Sequence, residues 1–139
     1  MATYNKFQSW VEHLCEGVNC GTDTFKVAVV ANANAPVATN SVLADLTQAT
    51  TNADSVTLTT STSAHSTGTY TLLFADKTIT ATAGGIGPFR YVVIYDDTPT
   101  SPADPLMCWY DYTGTASDVT IASGETFLVD FTGSTFTLS

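Results

Sequence analysis

The sequence predicts a mainly β fold, an antiparallel β-sandwich of jelly-roll-like kind, with one N-terminal α-helix. Two observations carry the β assignment. Short runs alternating apolar and polar residues recur along the chain, roughly seven to nine of them, with turn-forming residues between. Threonine, serine and asparagine fill the polar positions, while charged residues make up only 12% of the 139, about half the usual share. Threonine is β-branched and suits a pleated, half-wet surface. A third observation sets the helix apart: one stretch near the N-terminus has helical periodicity instead.

That stretch is NKFQSWVEHLCEG. Phe7, Trp10, Val11 and Leu14 recur at i, i+3, i+4 and i+7, which places them on one face. Gln8, Ser9, Glu12, His13 and Glu16 take the other face. Asn5 is the expected N-cap, with Gln8 closing a capping box, and Gly17 the expected left-handed stop. A helix of about three turns is not stable alone in water. Phe7, Trp10 and Leu14 must therefore pack on the protein's own sheet or on a neighbouring subunit.

Period two begins at residue 24. TFKVAVV is a strand with Lys26 on the outward side, and ANANAPVATNS is a loop around Pro36. VLADLTQ is compatible with a short helical turn or an extended piece. SVTLTTSTS alternates weakly, and GTYTLLFADKTITATAGG reads as one long strand or as two with a bend at Ala75 and Asp76. GGIGPF resembles a phosphate loop only superficially. It precedes a strand rather than a helix and its proline removes an amide, so a turn is expected there. FRYVVIYDD, LMCWYDY, DVTIASGETFLVDF (with a turn at Ser123 and Gly124) and STFTLS supply the remaining strands. No internal repeat is evident. The length suits one domain, spanning 1–139, with the helix at 1–17 and the sandwich over 24–139.

Residues 89–96 alternate Phe89, Tyr91, Val93 and Tyr95 with Arg90, Val92, Ile94 and Asp96. Both faces are apolar at mid-strand, which predicts a central, doubly covered position. The following loop, DDTPTSPADP, holds Pro99, Pro102 and Pro105. Each fixes φ and lacks a backbone donor, so the loop is expected to be a stiff surface projection rather than sheet.

The chemistry is sparse. Net charge is −9, and the four basic residues Lys6, Lys26, Lys77 and Arg90 are scattered, which argues against nucleic acid. The acidity keeps a polar surface soluble or meets a basic partner. No apolar run approaches the roughly 18 residues of a membrane span, and no basic-then-apolar leader opens the sequence, so the chain reads as made in a cytoplasm. Nucleophile elbow, P-loop and zinc-protease motifs are all missing, so neither an enzyme nor a cofactor is expected.

His13 and His65 read as solvated. Asp96, Asp97, Asp104 and Asp111 could gather around the proline loop for calcium, but they lack the spacing of a calcium loop. Cys15 and Cys20 lack zinc-site spacing, and no metal is expected. Paired carboxylates acting on glycans would need an aromatic cleft. Trp109, Tyr110 and Tyr112 could line one, though core or interface use is the plainer reading. With so few cations, Arg90 is expected to pair with an aspartate, in this chain or across an interface.

Several segments taken together resemble a family of small tailed-bacteriophage proteins. They are MATYNKFQSWVEHLCEG, APVATNSVLADLTQ, STGTYTLLFAD, GGIGPFRYVVIYDDTPTSPADPLMCWYDY and ASGETFLVDFTGSTFTLS. The likeness covers nearly the whole chain, and GPFRYVVIYDDTPTSPADPL leading to WYDY is its most specific part. It implies a virion structural protein similar to head decoration (cement) proteins, placed on the capsid exterior and assembled in the host cytoplasm. Its partners would be the major capsid protein and copies of itself as a homo-oligomer on the lattice, with no nucleic acid and no membrane. A tail or head-fibre component and a carbohydrate-binding β-sandwich module are the alternatives.

On this reading Phe7, Trp10, Leu14, Arg90, Pro99, Pro102 and Pro105 are the candidate interface residues. The cysteines depart from the family pattern, which suggests an added crosslinking role. Three cysteines leave one over after any pairing. Cys108, in a strand, is expected to be a buried inert thiol. Cys15 and Cys20, flanking Gly17, are expected to be exposed and able to pair within the chain or between subunits.

Overall fold

The computed structural model describes residues 4–131 and 135–139. It is mainly β with antiparallel sheets and one short α-helix, consistent with a β-sandwich. The elements are β1 (Tyr4–Lys6), α1 (Trp10–Glu16), β2 (Phe25–Val30), β3 (Thr51–Ala53), β4 (Thr60–Ser66), β5 (Thr69–Phe74), β6 (Lys77–Phe89), β7 (Tyr91–Asp96), β8 (Leu106–Asp111), β9 (Val119–Ile121), β10 (Thr126–Val129) and β11 (Phe136–Leu138). Short 3-10 turns occupy Asn32–Asn34 and Leu43–Asp45, the second resolving VLADLTQ as a helical turn.

One sheet runs β1-β8-β7-β2, a second runs β10-β6-β3 with β9 also on β6, and a third runs β11-β5-β4. The expected interior strand is β7, flanked by β8 and β2. Its alternation divides two cores. Val92 and Ile94 join Val27, Val29, Phe74, Ile79 and Phe127 in the larger one. Val93 and Tyr95 turn the other way, onto Phe7, Ala28, Val30 and Leu106, with Leu43 and Leu46 of the 31–47 segment packed against them. Both Met107 and Cys108 reach the larger core because the β7–β8 register shifts between Ile94 and Tyr95, a bulge that spends one extra residue on β8.

Three sequence expectations need correction. The N-terminal helix does not begin after Asn5. Residues 4–6 instead pair antiparallel with β8, Tyr4 opposite Tyr110 and Lys6 opposite Cys108, so this backbone is committed to a ladder. Ser9 takes the N-cap position and only seven residues are helical. The shorter helix presents a different face. Trp10 and His13, three residues apart, turn inward, Leu14 is half-buried and Val11 is exposed.

Second, Gly17 ends the helix with φ −162°, extended rather than left-handed, while the His13 carbonyl accepts from the amides of both Gly17 and Val18. Third, GGIGPF is not a turn but the C-terminal part of β6. Gly85 and Gly87 have φ of +73° and +103°, and a Cβ on either would come within 2.7 Å of the Ile121 or Val119 carbonyl. Glycine is what lets β9 approach β6 so closely. The long GTYTLLFADKTITATAGG segment is two strands, β5 and β6, parted at Ala75 and Asp76, where the Asp76 side chain accepts the Phe131 amide at 2.8 Å.

Candidate functional site

The β7–β8 connection is an exposed segment tethered at both ends. The Asp97 amide donates to the Thr24 carbonyl at 2.8 Å. The Thr24 amide donates to Thr98 Oγ1 at 2.7 Å, and the Thr98 amide to Asp96 Oδ1 at 3.0 Å. Lys26 Nζ pairs with Asp97 Oδ2 at 2.6 Å. At the other end, the Leu43 amide donates to the Asp104 carbonyl, and Thr100 and Ala103 form an antiparallel bridge across the tip. Between these tethers Thr98, Thr100, Ser101, Pro102 and Ala103 are exposed and Pro99 is half-buried. Pro105 is buried and bridges Val42, so it is a base of the loop and not part of its outer surface.

The other expected interface residues divide. Phe7 and Trp10 have no exposed surface at all. Phe7 lies against Trp109 with ring centroids 4.5 Å apart. Trp10 meets Phe25 and Phe136 edge-on, both at 6.3 Å. Between the two packings left open by the sequence, these side chains take the protein's own core, which removes them from any partner surface. Leu14 is half-buried against the same core. Contact with Phe7 also withholds one face of Trp109 from a glycan.

Arg90 pairs within the chain. Its Nε donates to both Asp111 carboxylate oxygens at 3.1 Å and Nη2 to Oδ2 at 2.5 Å. Nη1 reaches Asn32 Oδ1 at 2.8 Å, and the guanidinium sits 5.1 Å from the centroid of the Tyr91 ring. The hydrogen bonds from Arg90 hold the Asp111 carboxyl below its usual range. The pair ties the end of β8 to the β6–β7 junction and the 31–34 turn.

The three cysteines are free thiols. Cys15 is exposed and Cys108 buried, as expected, but Cys20 is buried too. Burial, with Asp96 nearby, pushes the Cys20 thiol up to about 11, and burial pushes Cys108 up to about 12. Both are poor nucleophiles and poor partners for exchange in that state. The Cys15–Cys20 disulfide is not formed here, and its second thiol lies under the surface.

The burial of two polar groups escaped the sequence reading. His13 is buried rather than solvated, and its Nε2 lies 3.1 Å from Ser41 Oγ. A Ser–His contact invites comparison with a nucleophile and its base. Yet the serine's own amide and that of Val42, the next in sequence, already donate to Asp45 Oδ2 and are not free for an oxyanion. The contact pins the helix to the 31–47 segment.

The second group is Asp96, fully buried, with Oδ2 lacking a donor. Burial drives its carboxyl up to about 7; the Thr98 amide opposes the rise and the neighbouring Asp23 carboxyl adds to it. A signal for both was present. Asp96 shares its strand face with Val92 and Ile94, and His13 stands one helical turn from Trp10.

An open groove of about 370 Å³ lies along the 31–47 segment, lined by Asn32, Asn34, Val37, Asn40, Asp45 and Leu46. Its polar atoms are largely committed, Asn32 to Arg90, Asn40 to the Val37 amide and Asp45 to Ser41 and Val42. Among the described residues no group of three or more His, Cys, Asp or Glu side chains is placed to hold a metal ion, and Asp97 and Asp111 are engaged by Lys26 and Arg90. Among the described residues no helix is long and apolar enough to cross a membrane. The chain matches no family model, no curated protein and no solved structure.

Proposed function

We propose that this chain is a bacteriophage virion structural protein, a decoration protein that binds the outside of the major capsid protein shell and stabilises it. The observation that carries the reading is the exposed loop at residues 97–104, fixed at both ends and bridged across its tip. This is also the segment in which the family resemblance is most specific. A loop ordered before contact loses little entropy on binding, so a small contact can be productive when repeated over a lattice. Pro99 and Pro102 limit the unbound conformations further. The excess of carboxylates suits a shell surface carrying basic groups.

The test is reconstitution. Purified protein is added to shells lacking it, and bound copies are counted against the major capsid protein. Hundreds of copies per shell are expected, with shells more resistant to heat. Replacing residues 100–103 by four glycines should leave the fold intact and weaken binding at least tenfold. Failure to bind shells, or copies in tens confined to the tail, overturns the reading.

A further inference from the structure

The sheet edges of this molecule are unequal. The outer edge of β2 is covered, since Val27 and Leu58 amides and the Ala49 amide bond across it to Val56, Phe25 and Val29 carbonyls. The edge strands β1, β3 and β11 are three residues long, and β10, of four, is bracketed by Glu125 and Asp130. β4 differs from all of these. It is seven residues, Thr60–Ser66, with neither a charge nor a proline. It pairs with β5 alone, and among the described residues no other backbone bonds to its outer side. Lysine, proline and inward charge are the usual guards of an edge, and β4 has none of them. Its one irregularity is a bulge at Ser61, where the register shifts between Thr60 and Thr62.

The turn geometry states which backbone groups point outward. Ser66 is opposite Thr69 across a two-residue loop, and Thr67 and Gly68 both have positive φ. That is a type I′ hairpin, in which the closing pair exchanges both hydrogen bonds. Pairs then alternate, so Ser66, Ala64 and Thr62 bond to β5, whereas Ser63 and His65 turn their amides and carbonyls away from it.

We propose that the outer edge of β4 pairs antiparallel with β4 of a second copy of this chain, about a twofold axis through Ser63. In that register Ser63 faces Ser63, His65 faces Ser61, and Thr62 faces Ala64. The occupant follows from charge and chemistry. The chain is at −9, so copies meeting elsewhere bring carboxylates together, and β4 has none to bring. Hydroxyls both donate and accept, so identical rows of serine and threonine complement themselves. Two short strands bury well under the roughly 1,200 Å² of a stable complex. The pairing is therefore weak between free chains and strong where copies are held close together. Only that setting rests on the shell-binding reading; the edge itself does not.

A register-specific crosslink tests it. In a background carrying Cys15→Ser, one chain receives Thr62→Cys and another Ala64→Cys. Mixed at high concentration under mild oxidation, they should give reductant-sensitive dimer at least tenfold above either chain alone, because 62 faces 64 and never itself. Equal yields in mixed and single samples overturn the proposal, as does the absence of dimer.

The unaltered protein provides a second readout. Amide hydrogen exchange at Ser63 and His65 should slow at least threefold as concentration rises, and exchange that is independent of concentration overturns the proposal. Protection that appears on shells carrying too few copies for neighbours to meet gives this edge to the shell protein instead, which likewise overturns it. Since both experiments use purified chain, their failure leaves shell binding standing, and failed shell binding leaves them untouched.

Discussion

Two antiparallel hairpins of similar strand length make opposite use of the same geometry. β7 and β8, six residues each, are joined by the proline loop, and β7 is buried on both faces by two separate cores. β4 and β5, seven and six residues, are joined by two residues, and β4 is mostly exposed. The first hairpin is specified by apolar volume, so a one-residue slip would turn Val92 and Ile94 out of the larger core and force Val93 and the bulkier Tyr95 into their places. The second is specified by its turn and by β5, whose Leu72 and Phe74 enter the core, while β4 contributes hydroxyls and hydrogen bonds. Burial fixes the scaffold, and the lightly buried strand is the one whose backbone remains available.

Trp10 joins these regions, touching Phe25 beside β7 and Phe136 beside β5. Its removal is the largest expected effect: Trp10→Ala should cost about 3–5 kcal/mol, read from the midpoint of chemical denaturation. His65→Ala on the exposed strand should stay within about 0.5 kcal/mol. Comparable losses at both sites would end the distinction.

The second effect lies at the end of β7. Asp96 has a folded-state pKa raised from 3.8 to about 7. The folded state thus binds its proton more tightly than the unfolded state does. Its contribution is full below about pH 4, declines as pH rises towards about 7, and is gone above that, a change on the order of 2–4 kcal/mol. Asp111, held low by Arg90, has the opposite sign, losing its contribution as pH falls below the ordinary carboxylate range. Thermal midpoints should therefore peak in mild acid, and Asp96→Asn should raise the midpoint at pH 8 while flattening the decline from pH 5 to 8. A decline unchanged by that substitution would remove Asp96 as its source.

A smaller effect is expected at Arg90→Lys. Lysine keeps the charge but cannot contact both Asp111 oxygens and Asn32 together. Differential scanning calorimetry should show a lower midpoint by less than Trp10→Ala produces, and Asp111→Asn should add little once Arg90 is changed. Full additivity of the two would mean that they act separately.

Much of this architecture was legible where periodicity was strong. The alternation through residues 89–96 placed β7 in the interior, and Ser123 and Gly124 marked the turn between β9 and β10. Helical spacing found Trp10 but overstated the helix, because a pattern in Phe7 and Trp10 cannot reveal that Tyr4–Lys6 has a ladder partner a hundred residues away. Local signals also misread GGIGPF, where glycines in a strand admit β9 rather than reverse the chain. Of the candidate surface, the proline loop was legible as a stiff projection, although burial of Pro105 was not. The open edge of β4 had no sequence signature, since exposure of an edge depends on what the rest of the chain leaves uncovered.

The pairing of Lys26 with Asp97 and Arg90 with Asp111 has a consequence for crowding. Two of the chain's four cations are satisfied within the same molecule, so they cannot offset the carboxylates of an adjacent copy. Each copy then carries a diffuse cloud of counterions, and clouds on adjacent copies must interpenetrate before protein surfaces touch. The distance over which that matters is the screening length, about 8 Å at physiological salt and about 30 Å at 0.01 M. How densely such molecules can be packed side by side is consequently set as much by the surrounding electrolyte as by the shape of the protein.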